Sequence, residues 1–107
     1  MFRVTTPVHT YVLPIDTSSC SVIRVAYSQG KKKLIKAYQG GVAPEGMTLD
    51  GKNVIIRLTQ EETKDFSSGF LTAQIRVLTD EGESLSSKVF RVTVDDVLDE
   101  EVMNNGL

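Results

Sequence analysis

The sequence predicts an all-β chain folded as a two-sheet antiparallel sandwich of immunoglobulin-like type, with about seven strands and one short helical turn. Two observations carry this expectation. Apolar residues recur mostly with period two in short runs, and Gly, Pro, Asp, Asn and Ser interrupt those runs roughly every ten residues, a rhythm that belongs to sheets. A barrel of about five or six strands fits the same pattern, since strand number is not fixed by periodicity alone.

Along the chain, Phe2 to Thr5 and Thr10 to Leu13 read as a first strand broken at Pro7, which has no N–H to donate, and Pro14 ends it. In Ser21 to Tyr27, the residues Ile23, Val25 and Tyr27 fall on one face and Arg24 on the other, the mark of a half-buried strand. Gln29 to Lys33 reads as a turn and Leu34 to Gln39 as the returning strand. Its inward face is open, because Leu34/Tyr38 and Ile35/Ala37 are both apolar pairs. Gly40 to Gly46 reads as a loop.

Met47 to Leu49 and Asn53 to Leu58 flank Asp50-Gly51, a pair suited to a tight hairpin, which turns Val54, Ile56 and Leu58 inward. Thr59-Gln60-Glu61-Glu62 has the spacing of a capping box, so one helical turn is expected to follow and to end near Phe66. Phe70 to Thr79 alternates Leu71, Ala73, Ile75 and Val77 against Thr72, Gln74 and Arg76. Thr79 to Glu83 reads as a hairpin loop, and Ser86 to Val94 as the last strand, with Phe90, Val92 and Val94 inward. The sandwich is expected to span residues 1–96, with residues 97–107 an acidic C-terminal tail whose end is mobile.

Size and charge narrow the function classes. A chain of 107 residues buries about two-thirds of its unfolded surface, enough for a core with little left for a deep cleft. The formal net charge is -2, and basic residues are interspersed with acidic ones, so nucleic acid is not an expected partner. No window approaches the roughly 18 to 20 apolar residues that span a bilayer, and no export signal is expected at the N-terminus. The single cysteine, Cys20, fits synthesis in a reducing cytoplasm.

Residues able to carry chemistry have simpler explanations. The lone histidine, His9, has no recognisable nucleophile or orienting acid at triad spacing and reads as a polar strand position. Cys20 lacks cationic neighbours that would stabilise a thiolate. Glu61, Glu62 and Asp65 suit the first turn of a capped helix. Lys31 to Lys33 form a solvated turn that guards a strand edge, and the acids between Asp95 and Glu101 lack calcium-loop spacing. No catalytic, metal-binding or cofactor-binding residue is therefore expected, and the chain is expected not to be an enzyme; a small hydrolase or transferase ranks lowest.

The termini are the features left over. Phe2, Val4, Val97, Leu98, Val102 and Met103 are apolar residues without an obvious internal partner, and they are the expected partner interface, by strand addition or by docking of an amphipathic C-terminal helix.

The stretches Phe2-Arg3-Val4-Thr5-Thr6-Pro7, Leu13-Pro14-Ile15-Asp16-Thr17, Arg57-Leu58-Thr59-Gln60-Glu61-Glu62-Thr63 and Gln74-Ile75-Arg76-Val77-Leu78-Thr79 resemble a group of small β-sandwich structural proteins of bacteriophages and prophages of Gram-positive bacteria. They are also similar to N-terminal modules of phage baseplate proteins. The resemblance extends to about Met103 and includes no catalytic signature. It implies a virion component of head, neck, tail or baseplate, made in the bacterial host cytoplasm, contacting other virion proteins and forming a homo-oligomer in the particle. The alternative is a carbohydrate- or surface-binding module of a receptor-binding assembly, which would depend on exposed aromatics such as Tyr38.

Overall fold

The computed structural model describes residues 1–104. Eight strands and one α-helical turn follow in the order β1 (Val8–Val12), β2 (Cys20–Gln29), β3 (Lys32–Gln39), β4 (Met47–Asp50), β5 (Asn53–Arg57), α1 (Gln60–Lys64), β6 (Gly69–Thr79), β7 (Ser84–Ser86) and β8 (Phe90–Val94), with a short 3-10 turn at Thr17–Ser19 before β2. The fold is an all-β sandwich of two antiparallel sheets. A small sheet has the order β1-β5-β4, and a large one runs β3-β2-β6, with both β7 and β8 paired to β6. Many sandwiches share the immunoglobulin-like architecture with another strand order. Here β2 lies between β3 and β6 and makes the most extended pairings of the molecule.

The core follows the alternation in the sequence. Ile23, Val25 and Tyr27 of β2, Val54 and Ile56 of β5, and Leu71, Ala73, Ile75 and Val77 of β6 are buried between the sheets, together with Leu58 and Phe66. Each strand thus turns one face to the other sheet, and burial of each Val, Ile, Leu or Phe in this set contributes roughly 1.5–3 kcal/mol. The capping box forms as expected: the Thr59 hydroxyl accepts from the Glu62 N–H, and the Glu62 carboxylate accepts from the Thr59 N–H. No described helix is long and apolar enough to cross a membrane.

Several local expectations change. The N-terminal strand begins at Val8, and Phe2 makes only an isolated parallel bridge to Asp95. In β1 it is His9 and Tyr11 that turn inward, leaving Val8 and Val12 exposed. The β4–β5 loop is Gly51-Lys52, one residue later than expected, because Asp50 pairs with Asn53; Gly51 supplies a φ of 59°. The last strand is split in two. Ser87 accepts the Ile75 N–H with its hydroxyl and donates its own N–H to the Ile75 carbonyl, so a side chain replaces a rung of the ladder and the chain swings outward at Lys88 and Val89. Phe90 faces inward as expected, opposite Ala73 and tilted against Tyr11 of the other sheet, but at the rim of the sandwich it stays 44% exposed.

The open question of β3 is settled by its register. Leu34, Lys36 and Tyr38 pair opposite Tyr27, Val25 and Ile23, so this set faces inward and Ile35 and Ala37 face out. A lysine among the inward residues is accepted because its ammonium reaches a carboxylate, described below. The tail holds no helix among the described residues. Asp96 accepts the N–H of Val97, and Asp99 that of Glu101, and such local bonds compete with a helix. The expected mobility of the chain end lies largely outside the described residues.

Candidate interaction surfaces

The N-terminal residues and the segment 93–103 are fastened to each other and to α1. The N-terminal ammonium donates to the Thr93 carbonyl at 2.8 Å, Arg3 N–H to the Asp95 carbonyl at 2.9 Å, and Asp95 N–H to the Met1 carbonyl at 2.7 Å. The segment thereby covers the free edge of β8. Arg3 is the node. Its guanidinium donates to the carbonyls of Phe66 (2.5 Å) and Lys64 (2.9 Å), which are left open where α1 ends, and to the carboxylates of Asp96 (2.6 Å) and Glu100. A cation at a helix C-terminus meets the negative end of the helix dipole. The bonds from Glu100 and Asp96 hold the Arg3 pKa above its ordinary value, and the bond from Arg3 holds the Asp96 carboxyl below its own. Gln60 completes the clasp with bonds to both the N–H and the carbonyl of Met103.

This arrangement sorts the expected interface residues. Val4 is a correction: it is 4% exposed, and its φ of 55° is one that β-branched residues rarely adopt, so it is a strained internal residue with no surface to offer. Thr63, fully buried, holds that kink by accepting from the Thr5 N–H and donating to the Thr5 carbonyl. Val97 and Val102 are half-buried. Phe2, Leu98 and Met103 project into solvent, Leu98 completely. The termini thus have internal backbone partners, contrary to expectation, and display three large apolar side chains from a fixed support.

Between the sheets lies a short polar chain. The Tyr11 hydroxyl contacts that of Tyr27 at 3.0 Å, and the Tyr27 hydroxyl contacts His9 Nδ1 at 2.9 Å. Burial lowers the His9 pKa, favouring the neutral ring, and raises that of both tyrosines. A neutral ring protonated on Nε2 accepts at Nδ1, so the protons then run from Tyr11 to Tyr27 and from Tyr27 to Nδ1, which satisfies the fully buried Tyr27 hydroxyl. Burial, aided by Asp80 and Asp16, raises the Cys20 thiol pKa and so disfavours thiolate. Among the described residues no group of three His, Cys, Asp or Glu is placed to hold a metal ion.

A second ion-pair site sits under α1. Lys36 Nζ lies 2.7 Å from Glu62 Oε2 and donates to the Glu45 carbonyl at 3.1 Å, while Glu62 Oε1 accepts the Thr59 N–H. Burial works to raise the Glu62 pKa, but the bonds from Lys36 and Thr59 outweigh it and leave the carboxyl below its ordinary range.

The outer face of the large sheet is the other exposed feature. None of its five strands contains Asp or Glu. Arg24 and Arg76 are direct cross-strand partners, Lys33 and Arg91 stand two rows away on the flanking strands, and the Arg91 guanidinium lies 4.0 Å over the half-exposed Phe70 ring. A shallow depression of about 190 Å³ lined by Val22, Arg24, Arg76 and Leu78 lies on this face, and an apolar groove of about 210 Å³ between Leu13, Ile75 and Leu85 opens at one side of the sandwich. The missing acids are visible in the sequence once strands are assigned; the role of Arg3 is not, because its partners lie more than 60 residues away.

Compared with protein families, with curated proteins and with solved structures, the chain finds no match in any of the three.

Proposed function

We propose that this chain is a non-enzymatic assembly module of a phage or prophage particle, a component of head, neck, tail or baseplate that works through repeated contacts with other virion proteins and with copies of itself. The observation that carries the reading is the terminal clasp. Hydrogen bonds from Met1, Arg3 and Gln60 hold both terminal segments in place while Phe2, Leu98 and Met103 stand in water. Ordering a segment before contact lowers the cost of association, and exposed apolar side chains on an ordered support suit a protein interface. The sequence stretches that resemble phage structural proteins support the same reading. The glycan-binding alternative has less behind it, since Tyr38 turns toward the core and the exposed aromatics are the phenylalanines Phe2, Phe70 and Phe90, which lack a polar group for a sugar hydroxyl.

The test is mass spectrometry of particles purified after prophage induction. The chain at stoichiometric copy in intact particles supports the reading, and its confinement to the soluble lysate overturns it. Deleting residues 97–107 is expected to leave a folded sandwich that no longer enters particles.

A further inference from the structure

The outer face of the large sheet carries cations without acids, and the tail carries acids beside an exposed leucine. On the outer face, the row Arg24–Arg76 and the row Lys33–Arg91 are separated by a row of Ile35, Ala26 and Gln74. Ile35 is 44% exposed, and the rows stand four residues apart on β2, about 13 Å along a strand. The face therefore reads cation, apolar, cation. The tail reads acid, apolar, acid: Asp95 and Asp96, then the wholly exposed Leu98, then Asp99, Glu100 and Glu101. The N-terminal ammonium engages Asp95, and Arg3 engages Asp96 and Glu100, so the free acids are Asp99 and Glu101, exposed on the C-terminal side of Leu98.

Two like charges directly opposite on neighbouring strands repel each other. Among the described residues, Arg24, Lys33, Arg76 and Arg91 have no carboxylate within ion-pair distance. An anion placed across Arg24 and Arg76 relieves that repulsion, and arginine receives carboxylates in a two-pronged geometry. We propose that the outer face of the large sheet is the docking site for the acidic tail of a second copy of this chain, Leu98 seated on Ile35 and the tail acids on the arginine row. Because each copy offers one tail and one face, the contact closes as a reciprocal pair or runs head-to-tail into a ring or a filament. The inference rests on the assembly reading above and specifies its self-contact.

Sedimentation equilibrium of the full chain tests it, with far-UV circular dichroism to confirm that each variant is folded. The expected result is self-association that weakens about tenfold or more when salt is raised to roughly 0.5 M. It is lost in R24E/R76E and in D99K/E101K, and restored when those two variants are mixed, since the reversed face then meets the reversed tail. A chain that stays monomeric up to about 0.5 mM at low salt overturns the proposal, because a useful lattice contact would be seen at that concentration. So does R24E/R76E associating like the parent. Binding of a labelled single-stranded oligonucleotide that R24E/R76E abolishes, with the chain still monomeric, assigns the face to nucleic acid instead. Particle mass spectrometry separates the two readings: a monomeric chain present in particles removes the self-contact alone, and an oligomeric chain absent from particles removes the virion role alone.

Discussion

Two ion-pair sites join α1 to the rest of the molecule, and they sit in opposite surroundings. Lys36 and Glu62 meet beneath the helical turn, with side chains 10% and 20% exposed, and both residues have further work: Lys36 also holds the Glu45 carbonyl and Glu62 also caps the helix. Arg3 meets Asp96 and Glu100 on the outside, where the acids are more than half exposed. The attraction is similar in kind, but removing a partner has different consequences. Beneath α1 either survivor is left in poor contact with water, whereas Asp96 and Glu100, freed of Arg3, are rehydrated. The buried pair therefore fixes how α1 sits on the sheets, and the outer one orders arms that a partner can grasp.

The sharpest way to break this contrast is Lys36→Ala, expected to lower stability by about 2–3 kcal/mol in urea unfolding, somewhat less than for a fully enclosed pair because Glu62 keeps some solvent contact. A loss like that of a surface pair would make the two sites equivalent. The same variant carries a pH signature. The Glu62 pKa is lower in the folded chain than its ordinary value of 4.5, so its contribution is complete above that value and is lost as pH falls through the depressed one. The gap between parent and Lys36→Ala should accordingly begin to narrow below about pH 4.5 and close as the pH falls through the depressed value.

Gly46→Ala comes next. Gly46 adopts a φ of 83°, and a Cβ there would run into the Arg57 carbonyl, in the loop that delivers Glu45 to Lys36. A loss of about 2 kcal/mol is expected by thermal or urea unfolding, from backbone strain and a forced shift. Arg3→Ala should cost only about 1 kcal/mol, mostly through the carbonyls of Lys64 and Phe66, while greatly increasing proteolysis of the tail. An Arg3→Ala cost equal to that of Lys36→Ala would mean that the clasp is part of the folding core. The smallest effect has the opposite sign. Arg24→Thr, which removes a cation that no acid offsets, should stabilise the isolated chain by roughly 0.5 kcal/mol.

How much was legible in the sequence depended on how far each residue's partners lie from it along the chain. The inward sets of β2, β5 and β6 and the capping box at Thr59 follow from neighbours a few residues apart, and all of them appear in the fold. Val4, an apolar residue near a terminus, reads as free in the sequence because the Thr5–Thr63 bonds that enclose it cross 58 residues. Val97, Leu98, Val102 and Met103 have the spacing of a helical face, but the tail's aspartates commit their carboxylates to local N–H groups. The split of the last strand turns on one hydroxyl, that of Ser87, inserted into a ladder belonging to β6.

By itself, then, the sequence determined the all-β class, the period-two core faces and the single capped turn, because side-chain alternation and capping are local consequences of strand and helix geometry. Only the tertiary structure decided that Lys36 lies inside, that Arg3 ties both termini to α1, and that Arg24 and Arg76 meet without an acid between them. Those outcomes depend on strand register and on contacts across tens of residues, and a one-residue change of register would have turned each strand's side chains to the other face.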